Sequence, residues 1–276
     1  MCGRFANKET PTSLAEYFQA DSEVDFPPSY NIAPSSRIVT VTADAQDHRH
    51  LKLMKWGLIP SWAKDPLIGN KLANARGETV AEKPSFRTAF RTRRCIIPAT
   101  GFFEWKTEGG KKYPWFISLK SGEPLAMAGI WEAWRSGAGE SIETCCIITT
   151  DGNELMQPIH DRMPIILDPE QWKIWLSPNE RRPDDLQQMI SPHTSEDMQA
   201  WPVTRLVQHC FCKFEFIRPG ARAERLAKVS EDRRRVLRGY ISSNLEGVKK
   251  KGNASRKQPT GGGLCGAAYP RSRWCR

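Results

Sequence analysis

The chain has 276 residues, 39% of them hydrophobic, enough for one large domain or two small ones around an apolar core. No apolar run is long enough to cross a bilayer and the first residues form no secretory leader, so the sequence predicts a soluble, intracellular protein. The net charge of +10 is unevenly divided: residues 1–204 carry 23 Lys+Arg against 26 Asp+Glu, residues 205–276 carry 18 against 5. The basicity therefore belongs to the C-terminal segment and does not mark the body as a nucleic-acid binder. The eight cysteines (Cys2, Cys95, Cys145, Cys146, Cys210, Cys212, Cys265 and Cys275) form no paired C-x-x-C units. A structural zinc site is not expected, nor any other metal or cofactor.

In chain order, the first notable residue is Cys2. Loss of Met1 would leave it with an α-amine (pKa near ~8) and a thiol (near ~8.5) on adjacent carbons. An amine and an aldehyde give an imine, and a thiol one carbon away closes onto the imine carbon as a five-membered thiazolidine. Taken alone, Cys2 is more simply read as a chance placement. Thr10-Pro11 reads as an N-cap with Pro at the first helical position, and Leu14, Tyr17 and Phe18 follow at helical spacing. Short β-rich runs then follow at 38–42, 51–56, 95–97, 102–105, 115–119, 125–131, 144–149 and 163–167, broken by Gly and Pro. Cys95, Cys145 and Cys146 lie in these apolar runs and are expected in the core. Residues 169–176 form an amphipathic helix and 183–190 another. Strands in the middle with helices at the edges give an α+β domain with a mixed, largely antiparallel, barrel-like sheet over residues 1–207. A basic tail follows over 208–276: residues 221–240 have helical character and 246–276 are Lys-, Gly- and Ser-rich, a composition that favours disorder.

Several short stretches carry possible chemistry. In Trp56-Gly57-Leu58-Ile59-Pro60-Ser61-Trp62 two tryptophans flank a turn; such rings stack on bases when exposed and otherwise fill the core. Asn74-Ala75-Arg76-Gly77-Glu78-Thr79 is a polar cluster that can fix another group or be a solvated turn. Residues 85–94 mix Phe86 and Phe90 with four arginines, either a phosphate-gripping surface or a solvated helix face. In Gly101-Phe102-Phe103-Glu104-Trp105, alternation puts Glu104 on the face of Phe102, away from Phe103 and Trp105. A carboxylate crowded by aromatics loses hydration, its pKa rises, and it can serve as a general acid. The alternative is a Glu on a wet face, and the residues alone leave both open. His160, in a loop between Pro158 and Pro164, can relay protons near neutral pH or simply hold a structural hydrogen bond.

The order and company of these stretches say more than each alone. Met1-Cys2-Gly3-Arg4-Phe5, Tyr30-Asn31-Ile32-Ala33-Pro34, Trp56-Gly57-Leu58-Ile59-Pro60, Asn74-Ala75-Arg76, Arg94-Cys95-Ile96-Ile97-Pro98-Ala99, Gly101-Phe102-Phe103-Glu104-Trp105 and His160-Asp161-Arg162-Met163-Pro164 together resemble the SRAP family (SOS response-associated peptidase) over residues 1–207. The resemblance implies a sensor of abasic sites in single-stranded DNA that cross-links its N-terminal cysteine to the ring-opened sugar as a thiazolidine. On that basis Cys2 is the nucleophile, freed by autoproteolytic loss of Met1, Asn74 orients it, Glu104 is the acid/base and His160 assists ring opening. Arg4, Arg76 and Arg162 are then candidate phosphate contacts, and Trp62 and Phe86 candidate wedge residues. Nothing in the sequence suggests more than a monomer, and the expected location is the cytoplasm, on the nucleoid, or a nucleus if the source is eukaryotic. Two features depart from the family: the basic segment 208–276, which has no counterpart, and Gly77, where a side chain is more usual. The competing readings are a thiol peptidase acting on other proteins and a non-catalytic nucleic-acid binder relying on its tail.

Overall fold

The computed structural model describes residues 2–137, 139–179, 181–204 and 207. The expected helix at 221–240 and the low-complexity end at 246–276 lie outside the described residues. Along the chain run β1 (Arg4–Asn7), α1 (Pro11–Phe18), β2 (Ala20–Ser22), β3 (Ser29–Ile32), β4 (Arg37–Ala43), β5 (Arg49–Trp56), β6 (Asn74–Arg76) and α2 (Arg87–Thr92). The second half adds β7 (Arg94–Ala99), β8 (Gly101–Glu108), β9 (Lys111–Leu119), β10 (Leu125–Arg135), β11 (Ser141–Asp151), β12 (Arg162–Pro164), α3 (Pro169–Leu176), α4 (Pro183–Gln187) and β13 (Met198–Pro202). All described residues fall in one unit, Met1–Glu215.

The sheets follow from strand pairing. One sheet has the order β12-β11-β10-β7-β4-β5-β2, and β5 pairs again with β11, so β11, β10, β7, β4 and β5 close into a barrel. Four of the five pairings in this ring are antiparallel and the closing β5–β11 pair is parallel. An odd number of strands cannot alternate direction all the way round, so at least one parallel pair is forced. The second sheet has the order β13-β9-β8-β1-β3. This is the expected α+β domain with a mixed, largely antiparallel, barrel-like core.

Among the described residues, two large apolar clusters fill most of the interior, with a smaller one at Ile59, Ala63 and Trp134. One lies under α1, α2 and α3 and includes Leu14, Phe18, Phe90, Ile96, Ile148 and Trp175. The other gathers Cys2, Phe5, Trp56, Cys95, Phe102, Cys145 and Ile147 between the two sheets. The helix ends obey their local signals. Ser13 N–H donates to Thr10 Oγ1 at 3.1 Å and Thr10 N–H to Ser13 Oγ at 3.0 Å, with Pro11 in the first turn. At the start of α3 the Asp168 N–H donates to Gln171 Oε1 at 2.9 Å, again with Pro in the first turn. Helix α4 starts at Pro183 as expected but ends at Gln187, after which the Met189 and Ile190 N–H groups donate to Leu186 O and Gln187 O, both at 3.0 Å, in tighter i→i+3 turns.

The arginine-rich stretch around α2 does not form a continuous phosphate-gripping surface. Arg94 is 2% exposed and donates to the main-chain oxygens of Phe90, Trp175, Ser177 and Asn179. It thereby satisfies carbonyls at the C-terminal end of α3, where a cation is favoured. Arg93 pairs with the buried Glu132 at 2.8 Å.

Candidate functional site

Three pairings bring the site together. Strand β1 lies antiparallel to β8 with Arg4 opposite Phe103 and Phe5 opposite Phe102, so the chain start runs alongside Glu104. Strand β6 adds parallel to β11 with Asn74 opposite Ile147 and Arg76 opposite Thr149. Strand β12 adds antiparallel to the same strand with Asp151 opposite Arg162, which returns the loop bearing His160. Gly152 opens that loop: its N–H donates to Asp161 O at 2.8 Å, and a Cβ there would lie 2.9 Å from His160 O. The residue must stay small for the loop to close so tightly.

Cys2 is fully buried, and its Sγ points to Arg4 O at 3.9 Å. Burial pushes its thiol well above the usual range, and the nearby Glu104 charge adds to this. Asn74 Nδ2 donates to Cys2 O at 2.9 Å, and among the described residues its buried Oδ1 has no hydrogen-bond partner. Glu104 is 2% exposed. Burial raises its carboxyl to about 7, against the lowering effect of the chain's α-amino group. His160 Nε2 lies 3.9 Å from Glu104 Oε2. Burial, and then the α-amino charge, hold the His160 imidazole below its usual range, while the Asp161 carboxylate pulls it up. A carboxyl that burial keeps protonated toward neutral pH, beside an imidazole whose proton affinity burial has lowered, sets an acid and a base side by side.

The structure thus brings Cys2, Asn74, Glu104 and His160 to one place. Arg4 leaves the same strand and donates to Asn31 Oδ1 at 2.9 Å, while Asn31 Nδ2 donates to Val207 O at 2.7 Å. Arg76 is exposed at the end of β6. Arg162 is not a free surface cation. It is 9% exposed and donates to Glu78 Oε1 and Oε2 at 2.6 and 2.9 Å, to Asp151 Oδ1 at 2.7 Å and to Thr149 O at 2.8 Å. These bonds hold the Glu78 carboxyl below its usual range.

The two wedge candidates separate. Trp62 is 59% exposed, with Nε1 donating to Pro84 O at 3.4 Å. Phe86 is buried with Ala89 and Phe90 in the core, so its ring does not face DNA in this conformation. Gly77 is also explained: a Cβ there would lie 2.4 Å from Ile190 Cγ2, so the missing side chain makes room for the turn after α4. Glu78, Asp151 and Asp161 were not singled out from the sequence. Their signal was adjacency, since two of them belong to the polar hexamer and the His-Asp-Arg motif.

The family model for SOS response-associated peptidases matches residues 1–210. The abasic site processing protein YoqW of Bacillus subtilis is 48% identical over 211 residues, covering 75% of this chain and 94% of its own. The abasic site processing protein YedK of Escherichia coli is 36% identical over 183 residues, covering 64% and 79%. A crystal structure of a protein from Bacteroides thetaiotaomicron superposes with a TM-score of 0.69 at 31% identity, covering 74% of this chain and 93% of that one. The chain belongs to the SRAP family, the SOS response-associated peptidases.

Proposed function

We propose that the protein captures abasic sites in single-stranded DNA by a covalent link to Cys2, after it has removed its own Met1. The carrying observation is the convergence of Cys2, Asn74, Glu104 and His160, with the Glu104 carboxyl near 7. The names of its relatives as abasic site processing proteins support the same substrate.

The chemistry follows from the groups present. The closed abasic sugar is a hemiacetal. The Glu104–His160 pair gives one proton to the ring oxygen and recovers one from the anomeric hydroxyl as the ring opens to the aldehyde. The α-amine of Cys2 adds to the aldehyde carbon and water leaves, giving the imine. Sγ then adds to the imine carbon and the thiol proton passes to nitrogen. One water is released overall. The order, amine before sulfur, suits a thiol that burial keeps protonated. Asn74 holds the Cys2 carbonyl and so fixes where both nucleophiles point. Single-stranded DNA is favoured because a sugar must be drawn out of a stack to meet a fully buried sulfur. The reading takes the protein as a monomer acting on cellular DNA.

A thiol peptidase acting on other proteins needs a thiolate, and the burial that raises the Cys2 thiol works against one. The test is denaturing electrophoresis with intact mass. The protein is mixed with single-stranded DNA bearing one abasic site, beside Cys2→Ala. A heat-stable adduct in the wild type alone, with Met1 absent and one water lost on joining, is the expected result. A folded protein lacking Met1 that gives no adduct overturns the proposal.

A further inference from the structure

Nδ1 of His160 faces two groups with opposite demands. The Arg162 N–H points at it from 3.0 Å, and Asp161 Oδ1 lies 2.9 Å away. An N–H can bond only the lone pair of an unprotonated Nδ1, and a carboxylate only a protonated one. Each state of the nitrogen therefore has its own partner, and the ring need not turn when a proton arrives or leaves. On the other side of the ring, Nε2 faces Glu104 at 3.9 Å.

We propose that Asp161 is a positioning residue that keeps a proton on the His160–Glu104 pair by holding Nδ1 of the imidazolium, while the Arg162 amide holds the same nitrogen when the ring is neutral. What the proton is used for rests on the abasic-site proposal above. Asp161 does not reach the reacting atoms; it acts through His160. Its side chain is 83% exposed, so its position is not a demand of core packing.

Asp161 and the α-amino group act on the pair in opposite directions, each affecting both members alike. The Asp161 carboxylate raises both His160 and Glu104, so it favours the protonated form of each. Lys112 of β9 lowers His160, and the α-amino group, while Met1 carries it, lowers both His160 and Glu104. Asp161 therefore opposes the cations that would otherwise strip the pair of its proton near neutral pH. The same argument explains an exposed acid between a catalytic histidine and a clamped arginine, where a neutral polar residue would suffice for solubility.

The test uses the full chain without Met1 as wild type, Asp161→Asn and Asp161→Glu. Imidazole nitrogen NMR follows the His160 titration, with the signal assigned by its loss in His160→Gln. Cross-linking rates on abasic single-stranded DNA are measured across neutral pH. Asp161→Asn is expected to move the His160 midpoint and the alkaline limb of the rate profile to lower pH. The rate at neutral pH should fall roughly two- to fivefold, the range for an exposed charge pair. Asp161→Glu should restore both. An unmoved midpoint, or a rate lost equally at every pH, overturns the proposal. If the wild type forms no cross-link at all, the abasic-site reading fails, and the NMR midpoint still decides whether Asp161 holds the proton.

Discussion

Replacing Glu104 by Gln tests the central electrostatic claim without DNA. In the unfolded chain a Glu titrates near the ordinary 4.5, and in the fold Glu104 titrates near 7. Between these values the native state keeps a proton that the unfolded chain has released, so stability falls as pH rises through that window. With about 1.4 kcal/mol for each tenfold change in proton affinity, the loss is about 3 kcal/mol once pH exceeds 7. Glu104 is 2% exposed, so solvent screening does not reduce this much. The Gln variant has nearly the same shape and no charge, so it does not pay this penalty. Denaturant unfolding of both proteins at pH 4, 6 and 8 should show Glu104→Gln gaining about 3 kcal/mol on the wild type between the first and the last. His160, lowered by burial, gives the opposite slope below its ordinary 6.5, but it is present in both proteins. Cross-linking by the variant should fall about 10²-fold, the lower end for losing a general acid. A stability difference that does not change with pH would refute the reasoning, since Glu104 would then be an ordinary carboxylate and the proton-exchanging pair would not exist.

How much of this was legible in the sequence depends on the distance over which each feature is decided. Helices α1 and α3 were readable because a cap, a proline and an apolar stripe lie within ten residues. The burial of Glu104 was one of two readings that its aromatic neighbours left open, and only the packing of β8 decides it. Helix α4 was overextended because Leu186 and Met189 keep helical spacing although the second lies beyond the helix end. The parallel closure of β5 on β11 had no local signal: it joins Thr144 to Lys55 and Cys145 to Trp56, some ninety residues away. Asn74 and His160 were legible as site residues only through the family order of motifs, because strand pairing, and not spacing, brings them to Cys2. The same limit applies to Arg162. Its clamp needs Arg76 beside Thr149 and Asp151 beside Arg162 on opposite sides of β11. Trp62 and Phe86 look alike in sequence, and only the packing of α2 decides which ring is buried.

Three further outcomes are expected. Asn74→Ala should cost about 1 kcal/mol of stability through the lost bond to Cys2 O and slow cross-linking about tenfold, while Asn74→Asp, which turns a carboxylate toward that carbonyl, should slow it more; equal rates in a quenched gel assay would remove Asn74 from the site. Trp62→Ala should leave the melting temperature unchanged and weaken binding to single-stranded DNA by about 1–3 kcal/mol in a fluorescence titration, whereas Phe86→Ala should destabilise by about 3 kcal/mol with no specific effect on affinity. The last concerns Glu78. It takes two hydrogen bonds from Arg162, and its side chain is 46% exposed, so the pair lies at the weaker end of the buried range. Glu78→Gln should therefore cost only about 1 kcal/mol, while Arg162→Met, which also strips Thr149 O and Asp151 of a donor, should cost about 2–3 kcal/mol. Removing the Glu78 charge also leaves the positive ends of Arg76 and Arg162 less neutralised. Affinity for single-stranded DNA should then rise a few-fold at low salt and the gain should vanish at high salt. A Glu78→Gln protein that binds no better at low salt would show that neither arginine meets a phosphate, and Arg162 would be a purely structural clamp between β6, β11 and β12.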